Sequence, residues 1–287
     1  MKAIYKKEVK SYLTSMIGYV FIFFILLLEG IYFTAYNLQN AYPLFGTTLS
    51  AVTFIFLILV PVLTMKTIAE ERKQKTDQLL LTAPVSVSEI VLGKFLAVAT
   101  VYAIPVLIIC LYPVIMGKYG TVSSAMAYTA VLGFALLGFA QIAVGVFWSS
   151  VTENPVIAAV VTFIVLFVCY MITGIGSLIP DSSMASLACY MLLVLLAAVW
   201  IYHMIRNLWI AAVIGIAGEA ALAITYVVKS TLFEGSIQKF LSVFDITSHF
   251  DNFTNGILDL QGVVYFLSVI IIFLVLTVQT ITKRRWN

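Results

Sequence analysis

The chain has 287 residues, of which 62% are hydrophobic and 10% charged, with a formal charge of +3. Soluble domains carry roughly 45–50% apolar and about 25% charged residues. With a mean hydropathy of +1.09, a soluble globular fold is excluded, and an all-α polytopic membrane protein is expected.

Residues 1–16 come first. Lys2, Lys6 and Lys10 recur every fourth residue, while Ile4, Tyr5, Val9, Tyr12, Leu13 and Met16 fill the other side. That pattern predicts a basic amphipathic helix lying on the inner leaflet; the plainer alternative is a basic flank to the first span. The first apolar run is long and has no small-x-small cleavage site, so no cleaved signal peptide is expected.

A hydrocarbon core about 30 Å thick takes about 20 apolar residues in a helix. About eight spans are predicted: Ile17–Ala35, Thr47–Met65, Phe95–Met116, Ala125–Trp148, Val156–Leu178, Met184–Tyr202, Leu208–Val228 and Val263–Ile281. The runs are continuous and too long for barrel strands. Of the 16 basic residues, all but Lys118, Lys229 and Lys239 then fall on one side. The positive-inside rule makes that side cytoplasmic, with both termini there. The Met184–Val228 pair reads either as two full spans or as a re-entrant hairpin. No internal repeat is visible, and 1–287 reads as a single transmembrane domain.

Two loops are long, 66–94 and 229–262. In the first, Thr67–Leu81 is expected to form one helix continuing from the second span, with its charged middle in water. Pro84 ends it and biases Ala83 away from helical geometry. Ser86 and Glu89 then form an S-x-x-E capping box ahead of the third span. Helix, break and capped helix make a lever between two spans; the alternative is a solvated loop. No G-x-x-x-x-G-K-[ST] occurs, since Gly93-Lys94 is followed by Phe95 and Gly117-Lys118 by Tyr119. ATP is therefore expected on another chain.

The same segment, in Ala69-Glu70-Glu71-Arg72, Thr76, Leu79, Leu80, Ala83-Pro84-Val85-Ser86 and Gly93-Lys94-Phe95, resembles the cytoplasmic signature of ABC-2-type permeases. The run His249–Ser268 and the closing Arg284-Arg285-Trp286 look like the gliding-motility (GldF-like) branch of that family. The resemblance implies a non-catalytic, type V exporter-like permease in a bacterial cytoplasmic (inner) membrane. It implies separate ATPase subunits, carrying ATP and Mg, docked on Ala69, Glu70, Glu71, Arg72, Thr76, Leu79, Leu80, Pro84, Val85, Ser86 and Glu89. It also implies a second permease copy or a homologue. Against six spans in the usual family core, this chain has eight by hydropathy. Two other classes stay open: a mechanotransmitting or anchoring subunit with an accessory membrane or extracytoplasmic partner, and an ATP-independent channel or carrier. No nucleic-acid partner is expected.

Inside the spans, Glu219 is either a polar point in a transport path or a hydrogen-bonded residue locking helices together. Glu29 and Gln141 read in the same two ways, as transport-path or packing residues, with Glu29 close enough to the outer interface to snorkel. In the outer loop, Phe233, Ile237, Phe240, Leu241 and Phe244 recur at helical spacing, which predicts one amphipathic helix. Phe233, Phe240, Phe244 and His249 are candidates for an external gate. Cys110, Cys169 and Cys189 sit far apart in apolar runs and read as small hydrophobes, and His203 and His249 form no zinc spacing.

Overall fold

A computed structural model describes residues 1–78, 85–120 and 122–286, and among them every regular element is a helix. In chain order these are α1 (Lys2–Thr14), α2 (Met16–Tyr32), α3 (Phe45–Thr53), α4 (Phe56–Thr64), α5 (Ala69–Lys73), α6 (Val87–Ile109), α7 (Tyr112–Tyr119), α8 (Ser124–Val151), α9 (Pro155–Ser177), α10 (Ser183–Ile205), α11 (Leu208–Val228), α12 (Ser236–Ser242), α13 (Asp251–Thr254) and α14 (Leu260–Trp286). The chain divides into two compact units, Met1–Val168 with Ile246–Asn287, and Cys169–Asp245.

Five helices are long and apolar enough to cross a membrane: Met16–Gln39, Val87–Tyr119, Ser124–Val151, Pro155–Ser177 and Leu260–Arg284. Two bent pairs raise the number to seven at most, against the eight expected. The second expected span is one of them, breaking by 59° between α3 and α4. Pro61 lies inside α4. Its missing N–H leaves the Leu57 carbonyl without the usual partner, and the turn tightens just before it, with Ile55 N–H bonding Val52 O and Ile58 N–H bonding Ile55 O, both at 3.0 Å. The other pair is Ala212–Val228 with Ser230–Ser242, bent by 116°. The sixth expected span corresponds to α10, whose described apolar part is the shorter helix Ser183–Val199.

In the first unit α8 is the most enclosed span, packed against α14, α6, α4 and α3. Small residues make the close approaches possible. A Cβ on Gly138 would lie 2.2 Å from the Tyr102 ring, and one on Gly145 would lie 2.2 Å from Thr64 Oγ1. Tyr102 fills the space against Gly138 and donates to Phe134 O at 2.7 Å. Phe56 meets the Tyr102 ring edge-on at 5.7 Å and packs at a tilt on that of Phe134 at 4.8 Å.

In the second unit α10 and α11 form an antiparallel hairpin turned at Arg206, whose φ of 52° lies in the left-handed region. Gly215 faces Ala198 and Gly218 faces Val194, so small residues again set the helix distance. Ser182 caps α10 by accepting from Ala185 N–H at 3.3 Å.

Candidate functional site

The charged end of the first unit is built from α1, α5, α6, the α8–α9 turn and the end of α14. The expected continuous helix over 67–81 is not what forms there. Residues 65–68 are a turn, α5 spans five residues, and 74–76 turn again, with Lys75 at a φ of 58°. The reason is a cap that comes from elsewhere in the chain. Ser149 on α8 accepts from the Ile68 and Ala69 N–H groups, each at 3.1 Å, and donates to Met65 O at 3.1 Å. Ser149 thus meets the orphan donors at the start of α5 and breaks its continuity with α4.

The charges do not stay in water either. Lys94, on the first turns of α6, is 2% exposed. Its ammonium donates to Glu8 Oε1 at 2.9 Å and Thr67 O at 2.8 Å, and pairs with Glu71 Oε2 at 2.9 Å. These are all three donors of a lysine, each used. Glu71 takes a second cation, Lys7 Nζ, at 3.1 Å. Tyr12 closes the cluster, its hydroxyl 3.0 Å from Thr67 Oγ1 and 3.1 Å from Leu63 O. One lysine therefore ties together α1, α5 and α6.

Burial alone raises a carboxyl pKa, but the neighbouring Lys94 and Lys7 outweigh it and hold Glu71 below its ordinary 4.5. For Lys7 burial acts downward, and Glu71 with Glu8 more than reverses it, holding the ammonium above 10.5. The Tyr12 phenol is pushed up by burial, with Glu8, Glu70 and Glu71 adding to it.

A second cluster lies beside the first. Arg72 donates to Ser150 O and reaches Glu153 Oε1 at 3.4 Å. Arg284, near the end of α14, spans the same Glu153 at 3.4 Å and Asp77 at 3.3 Å. Burial, then the nearby Arg284 charge, lowers the Arg72 pKa from its ordinary value. Between α1 and α5 runs a polar groove of about 590 Å³, lined by Lys7, Ser11, Lys66, Glu70 and Gln74 among others.

Of the residues singled out in this segment, Ala69 is fully buried, Glu70 pairs with Lys66 at 3.6 Å, and Thr76 Oγ1 donates to Glu71 O at 3.4 Å. Ser86 caps α6 by accepting from Glu89 N–H at 3.3 Å, and Val85 lies in the bend before it. Leu79, Leu80 and Pro84, and with them the break at Ala83-Pro84, lie outside the described residues. Glu8, Ser149 and Glu153 escape a reading of local motifs, and so do the partners of Lys94 and Arg284, which the motifs do name. One signal was available: Glu8 shares the buried stripe of α1 with Tyr12, and an acid on an apolar stripe asks for a partner.

Of the candidates inside the spans, Glu29 and Gln141 belong to the first unit and Glu219 to the second. Glu29 is 0% exposed, so it does not snorkel. Neither of its oxygens, nor either oxygen of Glu219, nor Gln141 Oε1 has a hydrogen-bond partner among the described residues. The gate candidates divide between the units. Phe233 and Phe240 pack their rings against Tyr190, each at 6.1 Å, and Phe244 packs on Phe240 at 5.4 Å. His249 belongs to the first unit and stacks on Tyr265 at 3.7 Å. The single outer helix is interrupted. Phe233 ends a 3-10 turn, Gly235 takes a φ of 61°, and only then does α12 begin. Among the described residues no group of three or more His, Cys, Asp and Glu could hold a metal.

A family model described as ABC-2 family transporter protein matches residues 2–284. The chain belongs to that family. It is an ABC-2 permease, a multi-pass membrane protein of a kind that is typically a non-catalytic subunit. No curated protein matches the chain in sequence. For this permease the match runs across α1, the charged end and α14 alike, so the clustered residues fall within the family's own region.

Proposed function

We propose that this permease is the membrane subunit of an ATP-driven exporter of the gliding-motility (GldF-like) branch, acting as one transmembrane domain in a bacterial inner membrane. Separate ATPase subunits, holding ATP and Mg, dock from the cytoplasm on Ala69–Ser86, of which Glu70, Gln74 and Thr76 line the polar groove between α1 and α5. A second permease copy or a homologue completes the complex. Nucleotide binding draws the two ATPases together and moves α5. The observation that carries this reading is the Lys94 cluster. A segment tied by one buried lysine to α1 and α6 transmits a displacement to both helices instead of yielding locally. Arg72 and Arg284 extend the same connection to α8 and α14. Glu70, Thr76, Val85 and Glu89 contact the ATPase, as do Leu79, Leu80 and Pro84 outside the described residues, while Glu71 and Arg72 anchor the segment from behind. Phe233, Phe240, Phe244 and His249 belong to the outer face, where an accessory partner or a gate would act.

The test is a mild-detergent pull-down of the permease with its genomic neighbours expressed, followed by an ATP-hydrolysis assay of the eluate. A soluble ATPase is expected to co-elute and to be lost with Leu80→Asp and Glu71→Arg, while both variants stay in the membrane. Full ATPase retention and activity in both variants would remove the coupling assignment.

A further inference from the structure

Glu219 lies near the middle of α11, and both its carboxyl oxygens are shielded from solvent with no hydrogen-bond partner among the described residues. Few buried polar groups in a folded protein stand alone, and each calls for a physical reason. Beside it, within the α10–α11 hairpin, runs a groove of about 620 Å³. Met191, Leu195, Val199 and Tyr202 form one wall, and Gly215 and Glu219 belong to the other. The groove exists because α11 carries Ala212, Gly215, Ala220 and Ala223 where larger side chains would fill the space. Its volume is within the range of small-molecule sites, about 300–1,000 Å³. Glu219 itself is one of the residues that line it, and it is the one acidic residue of that lining among the described residues.

We infer that this groove binds a lipophilic amine, its apolar body lying along Leu195 and Val199 and its ammonium donating to Glu219. An apolar wall with a single acid selects that combination. A carboxyl group withdrawn from water is matched best by an amine, whose ammonium both hydrogen-bonds to it and carries the opposite charge. A metal ion would need further ligands, and no cluster of them occurs among the described residues. A neutral alcohol supplies a donor but leaves the charge unmatched. As a binding site the groove stands on its own geometry; naming lipophilic amines as the exported class rests on the function proposed above.

Radiolabelled dodecylamine is titrated against the full chain in phosphatidylcholine nanodiscs, with the signal of empty nanodiscs subtracted. Saturable binding is expected, weakened about tenfold or more by Glu219→Gln, partly recovered in Glu219→Asp, and resistant to competition by dodecanol. Leu195→Trp, at an exposed position of the wall, fills the groove and abolishes saturable binding without touching the acid. Three results overturn the inference: equal affinity in wild type and Glu219→Gln, equal displacement by dodecanol, or a Glu219→Gln effect confined to oligomeric state, which would assign the carboxyl to a second copy of the chain. No ATPase is present in this assay, so its failure leaves the coupling reading standing, and loss of the ATPase in the pull-down leaves this one standing.

Discussion

Glu71 and Glu29 are both carboxyl groups withdrawn from water, and the chain treats them in opposite ways. Glu71, 15% exposed, faces Lys94 and Lys7 at 2.9 and 3.1 Å. Glu29, wholly buried in α2, faces no donor among the described residues. The first is held as an ion by a built environment shared among three helices. The second lies in an apolar environment that offers it no such partner among the described residues. Burial by itself therefore says little about what a charged residue does. The count and geometry of its partners separate an electrostatic clasp from a lone polar group.

The largest test of that contrast is Lys94→Met. It leaves Glu8 and Glu71 close together without their shared cation, and should cost about 3–5 kcal/mol, as breaking a buried ion pair does. Thermal unfolding in detergent reads it, and an unchanged melting temperature would mean that the cluster carries no net stability. Next comes pH. Because Glu71 is held below 4.5 in the fold, its contribution is fully present above that value and is lost as pH falls through its depressed pKa. Lys7, held above 10.5, contributes below that value and is lost only as pH rises through its raised pKa. Between these limits stability should not depend on either group. Below about pH 4.5 the wild type should lose melting temperature faster than Glu71→Gln, and parallel profiles would contradict the clasp.

Arg284→Ala should have a smaller effect. The guanidinium is 38% exposed, and exposed pairs contribute about 0–1 kcal/mol. Under the proposed function its signature falls in the coupling to the ATPase instead of in stability; a loss of melting temperature as large as that of Lys94→Met would make the two clusters equivalent. The smallest effect belongs to Glu29→Gln. The substitution keeps shape, adds no charge and breaks no hydrogen bond among the described residues, so unfolding should shift by less than about 0.5 kcal/mol. A shift comparable to that of Lys94→Met would show that Glu29 makes an interaction of its own and would collapse the contrast.

Much of the architecture was legible because a bilayer simplifies the code. Continuous apolar runs predict the helices, and most boundaries lie within a few residues of those expected, as with Pro155–Ser177 against Val156–Leu178. Local signals that act over three or four residues also held, among them Ser86 capping α6 through Glu89 N–H. Breaks were harder to see. The kink above Pro61 follows a local rule but takes effect a turn earlier, and the interruption at Gly235 divides a stripe whose apolar spacing runs through it without a gap. The charged end was legible in composition and not in structure: Glu71, Arg72 and Lys94 all stood in the quoted motifs, yet nothing local pairs Lys94 with Glu71 and Glu8.

By itself the sequence determined the all-helical, membrane-crossing class, the apolar runs from which the spans form, and the caps that need only near neighbours. Solvent transfer and helical periodicity act on each segment separately, so those features can be read one segment at a time. Tertiary structure alone decided that Ser149 caps α5 from 80 residues away, that Lys94 serves Glu8 and Glu71 at once, and that Arg284 returns to Asp77 across 207 residues. A hydrogen bond or ion pair depends on distance and direction between atoms, and chain folding sets both across separations that no local pattern records.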